Sequence, residues 1–416
     1  MRNRTRFADD RALDIVCLGR LGVDFYAQQI GARLEDVTSF AKYLGGSSAN
    51  TAFGCARLGL RAGLVSRVGD DAMGRFLTET LAREGCDVSH VGVDPARLTA
   101  AVVLGIEDKE TFPLIFLREN CADMAIGDAE IEASYIGRAR ALLITGTHFS
   151  TEYIAGVSSR ALDHAHARDV RTVLDIDYRP VLWGLTKRGD GATRYIASGT
   201  VTAHLQRLLP RFDLVIGTIE EFNIAGGSDD VMRSLAEVRR HTAAVLVVKR
   251  GPLGCAVIDG AIPASLDAAF NGAGVNVEVL NVLGAGDAFS AGFLSGWVRG
   301  ENYDACTRYA NACGALVVSR HGCAPAMPTW PELSAFLERE WPRRLRDSQE
   351  LEHVHRATTR ATRPAELLVL AIDHRGPLET LAAELDASET ALEAFKTLAL
   401  EAVDRVARGD PRYGIL

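Results

Sequence analysis

Paired cysteines, long apolar runs and an excess of basic residues are all missing from this sequence. Its eight cysteines include no CxxC pair, which argues against a zinc site or a disulfide framework and favours small core residues. No apolar run approaches the ~18 residues of a membrane span, and the N-terminus has no apolar segment for secretion. The net charge of -8 argues against a nucleic-acid surface. We therefore expect a cytoplasmic protein that binds neither nucleic acid nor membrane and acts on a small molecule.

Two common phosphate-binding motifs are also absent. A P-loop needs a Gly-Lys pair, and the chain has none. The dinucleotide fingerprint GxGxxG fails in the stretch 284–289, because Phe289 stands where the third glycine belongs. P-loop chemistry is thereby excluded, and a nicotinamide oxidoreductase becomes a weak alternative.

Short β-rich runs recur along the chain with helical patterns between them. They read DIVCLG (14–19), ALLITG (141–146), TVLDID (172–177), DLVIG (213–217) and AVLVVKRG (244–251). Several are apolar throughout, as is typical of parallel strands covered by helices on both faces. The alternation predicts an α/β fold. Two strands joined by a polar turn are predicted over 97–118, as a small sheet or lid beside the main body.

The composition changes after residue 342. Residues 343–364 are polar, rich in arginine and closed by Pro364, which predicts a linker. A strand pattern restarts at 367, a long helical pattern follows, and the closing RYGIL resembles the start of another strand. Roughly 50 residues are too few for a barrel of about 250. We therefore expect one domain over 1–342, a linker over 343–364 and an incomplete second domain over 365–416.

A run of small residues stands directly before Asp287 in the stretch NVLGAGDAFSAGF: Gly284, Ala285 and Gly286. Glycines let the backbone approach a ligand closely, and a helix that begins here would favour an anion at its N-terminus. A carboxylate beside bound phosphate would normally be repelled, so its presence suggests that it removes a proton from an attacking hydroxyl. Asp287 is therefore a candidate general base. An ordinary N-cap aspartate fits the stretch by itself equally well.

Two separate stretches resemble the signatures of the ribokinase/pfkB-type carbohydrate kinase family. GGSSANTAFGCARLGLRAGLVSRVGDDAMG (45–74) is similar to the N-terminal Gly-Gly signature, and GAGDAFSAGF (284–293) is similar to the C-terminal one. The two stand in the family's order, and the resemblance covers about 14–330. It implies a ribokinase-like, three-layer α/β/α fold with a small β lid, in agreement with the strand pattern.

The resemblance implies substrate-binding roles for four residues near the N-terminus. Asp24, Gly45, Gly46 and Asn50 would bind substrate hydroxyls, since a carboxylate and an amide can each hold vicinal OH groups. Each position also has an ordinary structural explanation. Asp24 suits the end of a strand, and Asn50 suits a helix cap.

Nucleotide and metal contacts are implied in the second half of the chain. KRGPLG (249–254) resembles the family's nucleotide-side turn and contains Lys249, Gly251 and Gly254. Asn311 falls on a helix that would flank the adenine. Glu220 matches the glutamate of the family's NxxE element, which organises Mg²⁺, although Gly217 replaces the asparagine. All of these residues also suit ordinary turns and packing.

A narrower resemblance concerns one branch of the family. NVL (281–283) stands where many members carry Asp-Thr-Thr, and together with 112–126 and 217–227 this variant resembles the branch that phosphorylates 5-dehydro-2-deoxygluconate in myo-inositol catabolism. In many bacterial members of that branch an aldolase-like, TIM-barrel-type domain follows, and its opening resembles LLVLAIDHRGPLE (367–379). The resemblance implies that 365–416 is an incomplete domain of this type, to which we assign no activity.

A sugar acid needs a cation in its binding site. Arg179 in DIDYRPVLW (175–183) falls in a DxDxR pattern similar to that of sugar-acid kinases, and Arg118 in RENCAD is a second candidate. The planar guanidinium suits a carboxylate or a phosphate, so Arg179 is a candidate for the acid, for the transferring phosphoryl group or for both. A surface arginine after a strand is the plainer interpretation.

The resemblance thus implies an ATP-dependent sugar-acid kinase that uses Mg²⁺ and phosphorylates a primary hydroxyl. Activation by K⁺ is common in the family, and the altered 281–283 segment leaves it open. 2-Dehydro-3-deoxygluconate, fructose and a nucleoside stay open as acceptors within the family. A catalytically silent sugar sensor is the alternative from another class, and the retained GAGD with Asp24 and Asn50 argues against it. The oligomeric state, a homo-oligomer included, is not determined by the sequence.

Overall fold

The computed structural model describes residues 1–108, 111–359, 366–372, 374–410 and 412–415. The chain divides into a larger unit over 1–359 and a smaller unit over 360–416. In the described part of the chain, no helix combines the length and apolar character needed to cross a bilayer. All eight cysteines are buried and free, which confirms their predicted place in the core.

The larger unit contains two β-sheets. Its strands are β1 (Leu13–Leu18), β2 (Gly22–Ala27), β3 (Phe40–Gly45), β4 (Ala62–Gly69), β5 (Asp87–Asp94), β6 (Ala100–Leu104), β7 (Leu114–Leu117), β8 (Ala139–Thr145), β9 (Arg171–Asp175), β10 (Leu214–Thr218), β11 (Val245–Lys249), β12 (Cys255–Ile258) and β13 (Phe270–Gly272). The main sheet has the order β13-β12-β11-β10-β9-β8-β1-β4-β5. Its neighbours are parallel from β11 to β5, and β12 and β13 add an antiparallel edge. The five predicted strand runs all lie in this sheet.

Helices cover both faces of the main sheet. They are α1 (Ser47–Arg57), α2 (Ala72–Arg83), α3 (Ala133–Ile136), α4 (Glu152–His166), α5 (Gly199–Leu208), α6 (Ile219–Gly226), α7 (Val231–His241), α8 (Ala285–Val298), α9 (Tyr303–Val318), α10 (Trp330–Leu337) and α11 (Gln349–Thr358). Alternate residues of β1 point to opposite faces. Ile15 and Cys17 join a core with α1, α8 and α9, whereas Val16 and Leu18 join a core with α4, α5 and α7. The predicted three-layer α/β/α fold is confirmed.

A separate four-stranded sheet forms the lid, in the order β3-β2-β6-β7. β6 and β7 pair antiparallel, which confirms the strand pair predicted over 97–118; residues 109 and 110 of its turn lie outside the described residues. Tyr26, Leu104 and Leu114 of the lid form a small core with Leu283, which directly precedes Gly284 at the start of α8. The lid therefore packs beside the helix that carries the candidate base.

The structure differs from the sequence prediction in the segment 343–364. Residues 349–358 form α11, and the larger unit continues to Thr359. Leu351 of α11 is buried, and His355 Nδ1 lies 2.7 Å from a carboxylate oxygen of Glu332 in α10. The polar, arginine-rich composition hides this packing, because few of the residues that make it are apolar: Leu345 and Leu351 are buried, and a polar contact joins Thr358 to Thr329. Residues 360–364 lie outside the described residues.

The smaller unit follows the predicted strand–helix–strand order. It contains β14 (Leu368–Leu370), α12 (Arg375–Glu384), α13 (Glu389–Ala407) and β15 (Tyr413–Ile415), and its two strands pair in parallel. Parallel strands joined through helices are the repeating element of α/β barrels. That this unit is an incomplete aldolase-like domain stays a prediction.

The unit boundary predicts where the chain can be cut. A protein that ends after Thr359 is expected to have an unchanged melting temperature and a kcat within about twofold of the full-length value. The reason is that few core contacts should cross a domain boundary. A matched protein that ends after Pro342 also loses α11, and we expect it to lose about 2–5 kcal/mol of stability, as for removal of a large buried side chain. Thermal unfolding and steady-state kinetics of both proteins check this. Equal melting temperatures and equal kcat values for the two shortened proteins would contradict the boundary at Thr359.

Candidate active site

The carboxyl ends of several parallel strands meet at one edge of the main sheet, where open α/β sheets usually bind ligands. Arg20 follows β1, Asp175 ends β9, Asp177 follows it, and Lys249 ends β11. The N-terminus of α8 lies at the same edge, since the hypothetical Cβ of Gly286 would lie 3.4 Å from Lys249 Nζ. Four segments that are distant in sequence therefore converge on one site.

The start of α8 is a candidate anion site. Gly284 has φ of 81°, in the left-handed region that favours glycine, and a Cβ there would lie 2.0 Å from Cys323 Sγ. The first turn of this 14-residue helix presents backbone N–H groups that have no partner within the helix. Together with the nearby Lys249 ammonium, these groups suit a phosphate. Gly284, Ala285 and Gly286 thus lie where the sequence prediction placed an anion hole.

Asp287 lies at the boundary between two cavities that share this edge. Asn50 Nδ2 donates a hydrogen bond of 2.8 Å to Asp287 Oδ2, so Asn50 positions the carboxylate as well as lining the smaller cavity. Burial, and next the nearby Asp177 carboxylate, raise the pKa of Asp287 to about 7, whereas the Asn50 hydrogen bond opposes this shift. A carboxylate with a pKa near neutrality is well matched to accepting a proton from a hydroxyl.

The smaller cavity lies under the lid. Asp24, Gly46, Asn50 and Arg118 line it, which places these predicted substrate-binding residues around one cavity. Gly45 acts indirectly, because a Cβ on it would lie 2.1 Å from the Asp24 carboxyl carbon. Burial raises the pKa of Asp24 to about 7, and the cations Arg20 and Arg118 oppose that rise. Asp24 can therefore bind a hydroxyl by either accepting or donating a hydrogen bond.

Arg118 is held rigidly in the smaller cavity. Its Nη2 lies 2.5 Å from Asp123 Oδ2, and both side chains are buried. His148 Nε2 lies 3.3 Å from the Asp123 carbonyl oxygen. Burial, and next the Arg118 charge, lower the pKa of His148 to about 3, so this imidazole is neutral. Arg118 is thus one of the cations that line the cavity, and Asp123 orients it.

Several charged residues of the site escaped the sequence analysis. Arg20 Nη2 lies 2.5 Å from Asp177 Oδ2, which also accepts a hydrogen bond of 2.6 Å from Ser47 Oγ. Arg179 Nη2 lies 3.6 Å from the other oxygen of Asp177, and Arg179 lines both cavities as predicted. Arg194 also lines both cavities. The signal for Asp177 was its place in the DxDxR pattern, whereas Arg20 and Arg194 belong to no motif.

The larger cavity is a cleft, and its lining includes all the residues predicted to bind nucleotide: Lys249, Gly251, Gly254 and Asn311. Lys249 Nζ lies 3.1 Å from Asp175 Oδ1 and 4.0 Å from Glu221 Oε2. These two carboxylates raise the pKa of Lys249 against the opposing effect of burial, so it stays charged. Gly254 has φ of 87°, and a Cβ there would lie 2.1 Å from the Gly272 carbonyl oxygen.

Glu220 does not lie where the sequence analysis placed it. Its side chain is exposed, whereas the neighbouring Glu221 is buried and lines the cleft. Thr218 and Glu221 form a reciprocal capping box at the start of α6, and Glu221 also accepts a hydrogen bond from the Tyr178 N–H. The structure therefore places Glu221 rather than Glu220 in the cleft, where the capping box orients it. In the described chain, no three His, Cys, Asp or Glu residues form a metal-binding cluster.

Comparison with known proteins gives matches over both parts of the chain. The family described as "pfkB family carbohydrate kinase" matches residues 12–330, and the DUF2090 family, "Uncharacterized protein conserved in bacteria", matches 332–416. The 5-dehydro-2-deoxygluconokinase of Bacillus thuringiensis (strain Al Hakam) is 32% identical over 339 residues, which are 80% of this chain and 97% of that protein.

Solved structures with the same fold are also similar to this chain. The PfkB protein from Polaromonas sp. JS666 is 27% identical with a TM-score of 0.64, over 78% of this chain and 99% of that chain. A putative ribokinase II from E. coli, solved in complex with ATP and Mg²⁺, is 21% identical with a TM-score of 0.69, over 79% of this chain and all of that chain.

Proposed function

Because this chain belongs to the pfkB family of carbohydrate kinases, we propose that its acceptor is a sugar acid, 5-dehydro-2-deoxygluconate, which it phosphorylates on the primary hydroxyl with ATP. The name of the B. thuringiensis relative supports this acceptor. A place in myo-inositol catabolism, which the sequence resemblance implies, is part of the same proposal. The arginine-lined smaller cavity supports an acid over a neutral sugar. 2-Dehydro-3-deoxygluconate and fructose are the alternative acceptors.

The observation that carries the proposal is the position of Asp287 between the two cavities. Asp287 and Gly284 line both the cavity under the lid and the larger cleft. A sugar in the first and ATP in the second would therefore meet at the carboxylate and at the α8 N-terminus. A hydroxyl acceptor, a base and an anion site are then in contact, as phosphoryl transfer requires.

The reaction follows from this placement. The primary hydroxyl oxygen attacks the γ-phosphorus, the bond between that phosphorus and the β–γ bridging oxygen breaks, and ADP leaves with the bonding electrons. The hydroxyl proton passes to Asp287. The N–H groups at the start of α8 and the Lys249 ammonium stabilise the charge on the transferring group. Asp24 and Asn50 orient the sugar.

Two carboxylates that line the cleft, Asp175 and Glu221, would hold magnesium, and Lys249 contacts both of them in the structure. Mg²⁺ in kinases is commonly held by one or two carboxylates, water and the substrate phosphates, and these residues fit that arrangement. When bound, Mg²⁺ would neutralise charge on the β- and γ-phosphate oxygens. Glu221 also accepts backbone hydrogen bonds from Thr218 and Tyr178, which fix its orientation.

Glu221→Gln is expected to raise the Mg²⁺ concentration for half-maximal rate by about 10- to 100-fold, as for residues that support a metal site. Glutamine preserves the capping box, so α6 should stay folded. Glu220→Gln is the matched control, and we expect no change because its side chain is exposed outside the cleft. Magnesium titrations at saturating ATP compare the two variants. A larger shift for Glu220→Gln would restore the original assignment.

The raised pKa values predict an acid limb in the pH dependence. Asp287 must be ionised to accept a proton, and its pKa is about 7, so kcat/KM should fall about tenfold per unit as pH decreases below that value. Asn50→Ala removes the hydrogen bond that opposes the shift, and this limb should then move to higher pH. Profiles from about pH 5.5 to 9 of both proteins check this. A rate independent of pH below neutrality would contradict the role of Asp287.

The proposed acceptor is tested by ADP release from ATP and Mg²⁺ across a panel of sugar acids, neutral sugars and nucleosides. We expect the highest kcat/KM for 5-dehydro-2-deoxygluconate. A preference for fructose or for 2-dehydro-3-deoxygluconate would select the corresponding alternative. Release with none of these acceptors would instead favour a sugar sensor.

A further inference from the structure

The smaller cavity is surrounded by four arginines, Arg20, Arg118, Arg179 and Arg194. Three of them are already paired, since Asp177 contacts Arg20 and Arg179 and Asp123 contacts Arg118. Among the residues that the structure describes, the Arg194 side chain has no ion pair or hydrogen bond at contact distance, and the carboxylates that attract it, Glu221 and Asp177, act at longer range. It is therefore the cation whose charge is available to a ligand.

Arg194 belongs to the 184–198 loop, which contains neither helix nor strand and leads into α5. The Gly191 N–H donates a hydrogen bond of 3.0 Å to the Leu114 carbonyl of the lid strand β7. A Cβ on Gly191 would lie 2.6 Å from that same oxygen, so the close approach requires glycine. Further along the loop, the Tyr178 hydroxyl donates to the Ile196 carbonyl at 2.7 Å. Contacts to the lid on one side and to the main body on the other hold Arg194 in place.

Arg194 and Arg118 differ in the cavities that they line. Arg118 lines only the smaller cavity, whereas Arg194 lines both the cavity and the cleft, together with Asp287 and Gly284. A group bound beside Arg194 can thus contact both the smaller cavity and the cleft. A substrate carboxylate at the far end of the cavity would lie nearer Arg118.

We propose that Arg194 is a catalytic residue that bonds the transferring γ-phosphoryl group and stabilises its charge in the transition state. This inference rests on the proposed phosphoryl transfer from ATP. The bonds that form and break are those given above, and Arg194 exchanges no proton. A guanidinium can hold two phosphoryl oxygens at once, which suits a planar transition state. The adjacent Arg179 charge, and next burial, lower the pKa of Arg194 to about 10, and an anion between the two arginines would relieve that repulsion.

The test compares Arg194→Leu, Arg194→Lys and a matched control in the full-length protein. Arg194→Leu is expected to lower kcat by about 100- to 1,000-fold, as for other lost transition-state donors, with little change in KM for the sugar. Arg194→Lys should recover part of the rate, because it keeps the charge but not the fork. Arg188→Leu removes an exposed arginine from the same loop, whose partner is Glu119, and should leave kcat within about twofold.

A second measurement does not depend on which sugar is the substrate. Calorimetry should show that Arg194→Leu weakens binding of MgADP with aluminium fluoride, which mimics the planar phosphoryl group, by about tenfold or more, and leaves binding of MgADP alone unchanged. Equal loss in both titrations, or a higher sugar KM at unchanged kcat, would overturn the assignment. If the wild-type protein phosphorylates none of the acceptors, the proposed function fails, and the aluminium fluoride comparison still decides the role of Arg194.

Discussion

Replacing Asp287 with asparagine is expected to lower kcat by about 100- to 10,000-fold, the range of a general-base contribution. Asparagine has nearly the same shape and can still accept the hydrogen bond from Asn50, so the α8 N-terminus should keep its geometry. Binding of MgADP, measured by calorimetry, is the control and should change little. A variant with wild-type turnover would remove Asp287 from the mechanism.

The same substitution should stabilise the protein at neutral and higher pH. A carboxyl whose pKa rises from 3.8 to about 7 on folding binds its proton more tightly in the native state, so its ionisation opposes folding. Wild-type stability should therefore fall as pH rises from about 4 through 7, and Asp287→Asn should lack this part of the loss. Melting temperatures of both proteins across this range measure the difference. Loss of activity together with higher stability would identify a group that is retained for catalysis.

Arg118→Leu is expected to lower kcat/KM for the sugar acid by about 10- to 150-fold, which corresponds to about 1.5–3 kcal/mol for a hydrogen bond to a charged group. The loss should be much smaller for fructose, which lacks the carboxylate. Arg179→Leu should behave differently, because Arg179 also lines the cleft and would affect transfer to both acceptors. The ratio of kcat/KM for acid and fructose separates the two roles.

Arg118→Leu leaves the buried Asp123 without its partner, so the variant needs a companion. Asp123→Asn combined with Arg118→Leu removes the unpaired charge. The double variant should show the same change in acceptor preference as Arg118→Leu alone, with a higher melting temperature than that single variant. If neither Arg118→Leu nor Arg179→Leu alters the ratio, the carboxylate is bound elsewhere, and the choice of a sugar acid loses its main support.

The sequence predicts the elements that repeat a simple physical pattern. The strands β1 and β8 to β11 can be predicted from their apolar runs, because helices cover both of their faces. Gly284 and Asp287 can be predicted as site residues, because close approach of the backbone to an anion requires small residues in a fixed order before the carboxylate. These residues lie together in the structure as the motif implies.

Contacts between residues that are distant in sequence, and the exact residue at which a helix begins, cannot be predicted in this way. Arg20 and Asp177 form a buried pair across 157 positions of sequence, and neither residue type nor local spacing indicates the partner. Glu221 rather than Glu220 enters the cleft because of the point at which α6 begins, which is a shift of one residue. Arg194 belongs to a loop without periodicity, and its position depends on the contact of Gly191 with the lid.

Transfer of the γ-phosphoryl group of ATP to the primary hydroxyl of 5-dehydro-2-deoxygluconate is tested most directly by proton-coupled ³¹P nuclear magnetic resonance of the reaction mixture. We expect a new phosphomonoester signal split by the two protons of the primary carbon, formed in step with ADP by the full-length protein and absent with Asp287→Asn. A phosphoester split by a single proton, or inorganic phosphate as the only product, would contradict it.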